Sequence, residues 1–523
     1  MSLVRASATI GSFTLLSRIA GFVRDVLQAS LLGAGLAADA FLIAQRLPNL
    51  FRALFAEGAL AAAFVPMLNQ RMGAENGGVD AARRFAEAVL AVLLPFLLLF
   101  TIVMVVATAP VVWALTGGFP DAAPEKFALT LHFTRLTFPY LMLISIVSLL
   151  GGLLNAVGRF AVNAAAPILL NLVLIAGLFW SAGSDAVAVA GVQAICVTLG
   201  GVAQLIWLMW SCQRAGFGLR LRVPRLTPEV KALLRLILPA ALGAGAVQIN
   251  LLISTALAAR FLGEGAVSWL YYADRLNQLP LGIIGIGVGT AVLPAMSRLL
   301  AAGDASAALA QQNRAIELVL LLTLPAAAGL ALVAAPIIGV LFQHGAFTAL
   351  DTRQTAAALA AFALGLPAYV LIKVLTPGFH ARSDTRTPVR VALGAMLVNL
   401  AANLLLVWPF GHVGIALGTA IAAWGNAGAL WWLLVRRGQF ALDERARRSL
   451  PRLVIATVAM LAVLAAAQHA MAAFAMPDAA VPMRILALAL LLGMGGLAYL
   501  GAARALGLFT LSGLAAQLRR KRQ

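Results

Sequence analysis

Apolar stretches of about twenty residues follow one another along almost the whole chain, separated by short polar breaks. A helix rises about 1.5 Å per residue, so about 20 apolar residues match a hydrocarbon layer near 30 Å. The pattern predicts fourteen transmembrane helices, at 7–32, 36–70, 86–114, 127–155, 161–182, 187–211, 231–258, 266–299, 315–341, 353–379, 388–409, 412–435, 452–474 and 484–508. The second and eighth are long and interrupted by proline and charge. The expected fold class is all-α: a polytopic membrane protein of about 14 transmembrane helices.

Composition agrees. Of 523 residues, 62% are hydrophobic and 11% charged. Soluble domains carry about 25% charge, and so few charges would not cover a soluble surface of this size. A disordered chain is excluded by the same apolar content.

The net charge of +19 invites a nucleic-acid reading. That reading needs a basic face with aromatics or a groove-reading element, and neither is visible, so no nucleic acid is expected as a partner. The positions of the charges explain them better. With the N-terminus inside, the cytoplasmic loops and both ends hold 27 of the 38 basic residues. The outward loops and their edges hold Lys126, Arg260, Arg353 and Arg484. Such a bias sets orientation, which predicts both termini in the cytoplasm. The tail from Arg519 to Arg522 is also placed to touch anionic membrane lipid.

The first sixteen residues resemble a signal peptide only weakly. Arg18 interrupts the apolar run and no small-residue cleavage site follows it, so the segment reads as a retained helix. Cys196 and Cys212 are the only cysteines, near one helix, so no disulfide is expected. No cysteine or histidine cluster has metal-ligand spacing. No metal site or cofactor is expected.

The chain repeats itself. Ala44-Gln45-Arg46-Leu47-Pro48-Asn49-Leu50 resembles Ala273-Asp274-Arg275-Leu276-Asn277-Gln278-Leu279, 229 residues later. Arg84, Glu87 and Pro95 match Arg314, Glu317 and Pro325, each 230 apart. Asn171-Leu172 matches Asn399-Leu400 at 228. Several matches near one offset read as duplication. The unit holds six helices, an even number, so both copies enter from the same side as parallel lobes. The expected organisation is a six-helix lobe at 1–225, a second at 226–440, and two extra helices with a basic tail at 441–523. A cleft between rocking lobes is the mechanical expectation; a static bundle is the alternative.

Charges inside the apolar segments supply candidate chemistry. The first segment contains Ser17, Arg18, Arg24 and Asp25. A mid-membrane arginine costs about 2.5–3.5 kcal/mol on insertion scales and usually faces a polar interior. At about 100° per residue, Ser17 and Arg24 share one face while Arg18 and Asp25 share another. Arg18 and Asp25 either form a packing ion pair or join a polar front. The second segment adds Asp39, Arg46, Arg52 and Glu57. Arg46 reads as an interfacial snorkelling residue, and Arg52 as the better ligand candidate. Asp39 either orients an arginine or is solvated. Asp274 and Arg275 lie in the eighth segment and Lys373 in the tenth. Asp274 either neutralises Arg275 or acts in gating or ion coupling. Arg18, Arg24, Arg52 and Arg275 would suit an anion, and arginine forks match phosphate oxygens. The residues alone reach a transporter of an anionic or phosphate-bearing substrate.

Enzyme signatures are missing. There is no HExxH, no Gly-rich loop ending GKS or GKT, and no GxSxG elbow. The loops near 213–230 and 436–451 are too short for a nucleotide-binding domain. A membrane glycosyl- or phosphotransferase is disfavoured, and the chain is not expected to be an enzyme.

The run Leu16-Ser17-Arg18-Ile19-Ala20-Gly21-Phe22-Val23-Arg24-Asp25, with Ala38-Asp39-Ala40-Phe41, the Arg46–Arg52 stretch and Phe55-Ala56-Glu57-Gly58-Ala59-Leu60, resembles the MurJ/MviN family of lipid II flippases. So do Ser268-Trp269-Leu270-Tyr271-Tyr272-Ala273-Asp274-Arg275-Leu276, Pro377-Gly378-Phe379-His380-Ala381 and Thr385-Arg386-Thr387-Pro388. The resemblance covers essentially the whole chain. It implies translocation of lipid II, an undecaprenyl-diphosphate disaccharide-pentapeptide, from the cytoplasmic to the outer leaflet of the bacterial inner membrane. It implies alternating access, within a wider group of multidrug, oligosaccharidyl-lipid and polysaccharide exporters. By motif, Arg18, Arg24, Arg52 and Arg275 are the cavity cations, Ser17 and Asp25 neighbour the diphosphate, and Asp39 is a further important acid. The two extra helices would line a groove for the lipid tail. The implied partners are lipid II, membrane lipids and the cell-wall synthesis machinery. Coupling to an ion gradient or the membrane potential is expected, with the ion unspecified. One departure stands out: many relatives carry an acid where this chain has Gln278. Export of another polyisoprenyl-diphosphate glycan and ion-coupled drug antiport are the alternatives.

Overall fold

A computed structural model describes residues 3–52, 61–73, 78–116, 123–471 and 480–508. Glu57 and the tail from Arg519 to Arg522 lie outside the described residues. Helices are the only regular secondary structure among the described residues. The first 225 residues contain α1 (Leu3–Leu32), α2 (Leu36–Arg52), α3 (Ala61–Gly73), α4 (Val79–Val106), α5 (Thr108–Leu115), α6 (Pro124–Thr137), α7 (Tyr140–Ala156), α8 (Phe160–Trp180) and α9 (Ala186–Arg214). Then follow α10 (Pro228–Phe261), α11 (Ala266–Ala301), α12 (Ala305–Leu332), α13 (Ala334–Phe342), α14 (Ala349–Ala363), α15 (Leu366–His380), α16 (Arg386–Arg436), α17 (Glu444–Ala470) and α18 (Val481–Ala505).

Helix starts follow local chemistry. Asp185 caps α9 by accepting from the Ala188 amide at 2.7 Å, and Asp304 caps α12 through Ala307 at 2.8 Å. Thr227 caps α10 with Pro228 in the first turn. Thr348 and Asp351 make a reciprocal capping box on α14. Each such cap satisfies amides that the helix leaves unbonded.

Helix breaks are less uniform than fourteen simple rods. The expected segment 86–114 divides into α4 and α5 at Ala107, where the Thr108 hydroxyl donates back to the Met104 and Val105 carbonyls at 3.0 and 2.6 Å. The segment 127–155 divides at Phe138–Pro139 into α6 and α7. In the second copy, 315–341 divides at Val333 and 353–379 at Leu364–Gly365. Ala107 and Val333 are 226 residues apart (333 − 107), and Pro139 and Pro367 are 228 apart (367 − 139). The duplication therefore extends from sequence to the places where helices bend. Conversely, 388–409 and 412–435 join in α16, separated by Gly411 at φ 56°, ψ −133°. That conformation is open essentially to glycine alone.

The chain forms two compact units. One comprises Met1–Ser268 with His344–Phe347, and the other Trp269–Gln343 with Thr348–Gln523. In the first unit, Phe64, Phe85, Leu149, Leu150 and Leu153 form a core where α3, α4 and α7 meet α9 and α10. Phe64 and Phe85 stack with ring centroids 5.6 Å apart. The short His344–Phe347 stretch belongs here because the Ala346 amide donates to the Ser30 carbonyl at 2.7 Å. Gly33 makes that approach possible: its φ is 65°, and a Cβ there would lie 2.6 Å from the Ala346 oxygen. In the second unit, Ile316, Val319, Val374, Leu375, Phe379, Leu430 and Leu434 pack α12, α15 and α16 together, and α17 lies against α12 and α18.

Outside these cores the surface stays apolar. Leu99 and Val106 on α4, Leu405 and Trp408 on α16, and Leu497 on α18 are all more than half exposed. An apolar band of this extent is what lipid-facing helices present. Among the described residues, nine stretches are long and apolar enough to cross a membrane. Helix α1, which carries Arg18, Arg24 and Asp25, is not one of the nine. The molecule is a multi-pass helical membrane protein.

The duplicated acids have parallel duties. Buried Glu87 on α4 accepts from Arg222 Nε at 2.5 Å and from the Arg220 amide at 3.2 Å, anchoring the linker that precedes α10. Its repeat mate Glu317 on α12 accepts from Arg445 Nε at 3.1 Å and Ser449 Oγ at 2.9 Å, anchoring the start of α17. Each acid ties down a segment well beyond its own helix in the chain.

The loop before α16 gives a pH prediction. Asp384 accepts from the Thr387 hydroxyl at 2.6 Å, from Arg437 Nη1 at 2.7 Å and from the Thr387 amide at 3.0 Å. These bonds, led by the Thr387 hydroxyl and then Arg437, hold its carboxyl well below the usual carboxylate range. A depressed acid adds stability above its unfolded value, and that stability is lost as pH falls through the depressed value. The melting-temperature gap between the native chain and Asp384→Asn should be constant from neutral pH down to about pH 5 and should close in acid below about pH 4. A gap independent of pH down to strong acid would contradict the assignment.

Candidate functional site

The charged residues of α1 meet a polar position on α8, its main packing partner in the first unit. Arg24 is buried, 7% exposed, and Asp25 is fully buried. Arg24 donates to Asp25 Oδ1 from Nη2 at 2.5 Å and Nε at 3.2 Å. Its Nη1 donates to Asn171 Oδ1 at 3.1 Å, and Asn171 Nδ2 donates to the Ser17 carbonyl at 3.2 Å. The guanidinium is thus fixed in plane from two sides, by the adjacent acid and by an amide 147 residues away.

This arrangement revises the expected pairing. Asp25 pairs with Arg24 and not with Arg18. A separation of seven residues puts Arg18 and Asp25 on one face but about 10 Å apart along the axis. Arg24 is adjacent, and its long side chain folds back to reach the carboxylate. Arg18 is exposed. With Ser17 it lines a cavity of about 270 Å³ between α1, α7 and α8, beside Asn155, Asn163 and Pro167. Ser17 takes part in the network through its backbone carbonyl.

Arg52 ends α2, four residues beyond Pro48, half-buried, with Nε donating to Asn49 Oδ1 at 3.1 Å. Neighbouring Phe51 sits edge-on to Phe100 at 5.2 Å between ring centroids. Arg46 is half-buried too. The expected contrast between a shallow Arg46 and a deep Arg52 does not show in burial.

Asp39 does something the sequence did not suggest. It is fully buried, and accepts from Lys126 Nζ at 2.9 Å, the Gly265 amide at 3.0 Å, the Ser268 amide at 2.9 Å and the Ser268 hydroxyl at 2.7 Å. Lys126 is only 2% exposed. Asp39 therefore binds α2 to α6 and to the first residues of α11, where helix amides favour an anion. It is neither solvated nor paired with an arginine in this set.

Arg275 belongs to the second unit, half-buried on α11, with its guanidinium 5.9 Å from the Tyr271 ring centre. Gln278 donates from Nε2 to Asp274 Oδ2 at 2.5 Å. A neutral amide here engages the acid one turn earlier. Lys373 on α15 lies against Gly285 of α11.

The sequence reading missed Lys126 and Asn171 as partners. The repeat did mark Asn171: its mate Asn399 is also buried, bonding Thr419 Oγ1 at 3.3 Å and accepting from Asn403 at 3.0 Å. A polar residue kept in both copies of a lipid-embedded helix was the available signal. Among the described residues no group of three or more His, Cys, Asp or Glu could hold a metal ion.

A duplicated set of bent helices, an apolar exterior and a buried, paired arginine inside the first helix define a multi-pass membrane transporter. A solved multidrug resistance MATE family transporter of the MOP superfamily, inward-facing, has the same fold, with a TM-score of 0.67 at 17% identity over 83% of this chain and 98% of that one. The structure solved as "Lipid II flippase MurJ, inward closed conformation" aligns with a TM-score of 0.76 at 25% identity, covering 94% of this chain and 97% of that one. The family model described as "Lipid II flippase MurJ" matches residues 28–482. The chain belongs to the MurJ lipid II flippase family. It is 46% identical to the "Probable lipid II flippase MurJ" of Rhizobium tropici over 90% of this chain and 88% of that protein. It is 37% identical to the "Lipid II flippase MurJ" of Burkholderia cenocepacia over 84% and 85%.

Proposed function

We propose that this chain carries lipid II from the cytoplasmic to the outer leaflet of the bacterial inner membrane by alternating access. Family membership supports the cargo. The observation that carries the mechanism is the buried Arg24, held in plane by Asp25 and Asn171 within the first helix. A diphosphate entering hydrocarbon loses its hydration at a steep cost. A guanidinium already held in place by Asp25 and Asn171 offsets part of that cost, because little further ordering of the side chain is needed. Arg24, Arg18, Arg52 and Arg275 are the proposed diphosphate ligands. Ser17 and Asp25 hold Arg24 in position, while Asp39 acts on the fold. The isoprenoid stays in lipid, along the extra helices.

The proposed frame is fourteen crossings, with six-helix lobes at 1–225 and 226–440, the two extra helices and tail at 441–523, and both termini cytoplasmic. Cysteine labelling should then find 213–228 and 437–450 inside and 123–126 and 343–352 outside. Opposite labelling of either inner loop would overturn the topology. Coupling to an ion gradient or the membrane potential, worth about 2.3 kcal/mol per elementary charge at 100 mV, is the proposed energy source.

The function is tested by depleting the resident flippase of a host strain and supplying this chain. Growth and normal shape should return. Failure to rescue by a chain abundant in the membrane would reject the assignment. Tolerance to cationic drugs without rescue would favour the antiport alternative.

A further inference from the structure

A further arginine site lies in the second unit, at residues distinct from the proposed diphosphate ligands Arg18, Arg24, Arg52 and Arg275. Helices α13, α14, α17 and α18 surround a cavity of about 340 Å³. Arg484, in the first turn of α18, lines it and is only 7% exposed. Its Nη2 donates to the Gly339 carbonyl near the end of α13. Exposed Arg353 of α14 lines the same cavity, as do Gln343 and Gln468. Gln343 is braced by the Thr352 hydroxyl, which donates to its Oε1 at 3.1 Å. No carboxylate lines the cavity among the described residues. The rest of the wall is aliphatic, including Pro336, Val340, Leu488 and Leu491.

Charge placement makes this cavity unusual for the chain. Only Lys126, Arg260, Arg353 and Arg484 fall on the loops and edges expected to face outward. Lys126 is consumed by Asp39. Two of the remaining three line one small cavity. Burying a guanidinium against a single carbonyl is costly unless an anion completes its hydrogen bonds. Guanidinium forks favour phosphate, and the aliphatic wall favours a hydrocarbon chain beside it.

We infer that this cavity is a binding site for the phosphodiester headgroup of an anionic glycerophospholipid, with Arg484 and Arg353 as its ligands and an acyl chain along Leu488 and Leu491. A lipid seated there fills the junction of α13 and α14 with α17 and α18, and so braces the extra helices against their own unit.

The test uses the purified full chain and a photoactivatable phosphatidylglycerol, with cross-linked peptides mapped. Adducts should fall between residues 480 and 491 and be competed by phosphatidylglycerol. Phosphatidylcholine, whose choline cation is repelled by two arginines, and inorganic phosphate, which lacks the acyl chains, should each compete at least about tenfold less well. Arg353→Gln, at an exposed position that folding tolerates, should weaken labelling several-fold, and the pair Arg353→Gln with Arg484→Gln should abolish it. Equal labelling of the native chain and Arg353→Gln, or equal competition by phosphatidylcholine, would overturn the inference. Competition by inorganic phosphate alone would make this a free-anion site and would equally overturn it.

Discussion

Asp39→Ala should remove most of the protein from the membrane. The carboxylate satisfies a buried ammonium, two backbone amides and a hydroxyl at once. Its loss strands Lys126, which is 2% exposed. Breaking a buried pair on one side costs about 3–5 kcal/mol, a large share of the roughly 5–15 kcal/mol that holds a typical protein folded. Asp39→Asn should help little, because one oxygen becomes a donor facing the Lys126 ammonium or the Gly265 amide. Adding Lys126→Met to Asp39→Asn should restore part of the abundance, since no buried charge is then left unpaired. Membrane abundance and detergent melting temperature of the two single variants and the double report this coupling. If Asp39→Ala keeps normal abundance yet loses transport, the acid acts on cargo and its structural assignment is wrong.

Arg24→Ala should behave in the opposite way. Removing a mid-membrane charge eases insertion by about 2.5–3.5 kcal/mol, which offsets most of the roughly 3–5 kcal/mol that breaking the buried pair with Asp25 costs. Abundance should therefore stay near native while complementation is lost. The pair Arg24→Ala with Asp25→Asn removes the stranded acid and separates lost ligand from lost folding. Arg24→Lys should rescue only partly, because an ammonium has no planar fork to bridge two oxygens. Asn171→Ala leaves the charge and removes only its brace, so lipid II binding should weaken by about tenfold or less. Full complementation by Arg24→Ala with unchanged lipid II binding would exclude a diphosphate role for this residue.

These two residues also show what was legible in the chain. Apolar length, charge bias and the repeat located the helices, and the motif runs located Arg24 and Asp39 within them. The partners were not legible. Lys126 lies 87 residues from Asp39 and Asn171 lies 147 from Arg24. Contacts at such separations leave no periodic signal, and only the fold brings them together. The Arg24–Asp25 pair was hidden for another reason: helical periodicity ranks residues by face and ignores the reach of a long side chain. The breaks at Ala107 and Val333 were missed although Pro110 and Pro336 stand three residues beyond them, because a proline inside a long apolar run reads as easily as a kink within one membrane helix. At the first break Thr108 adds a hydroxyl that competes for helix carbonyls, a choice made only in the folded environment.

The central claim is that this chain moves lipid II across the bilayer using Arg24. The most direct measurement follows lipid II in each leaflet of cells depleted of their own flippase and supplied with the native chain or with Arg24→Ala at equal abundance. The native chain should restore lipid II to the outer leaflet within the time of depletion, while Arg24→Ala should leave it accumulating on the cytoplasmic side. Outer-leaflet lipid II that is absent with the native chain, or equally abundant with both, would contradict the account.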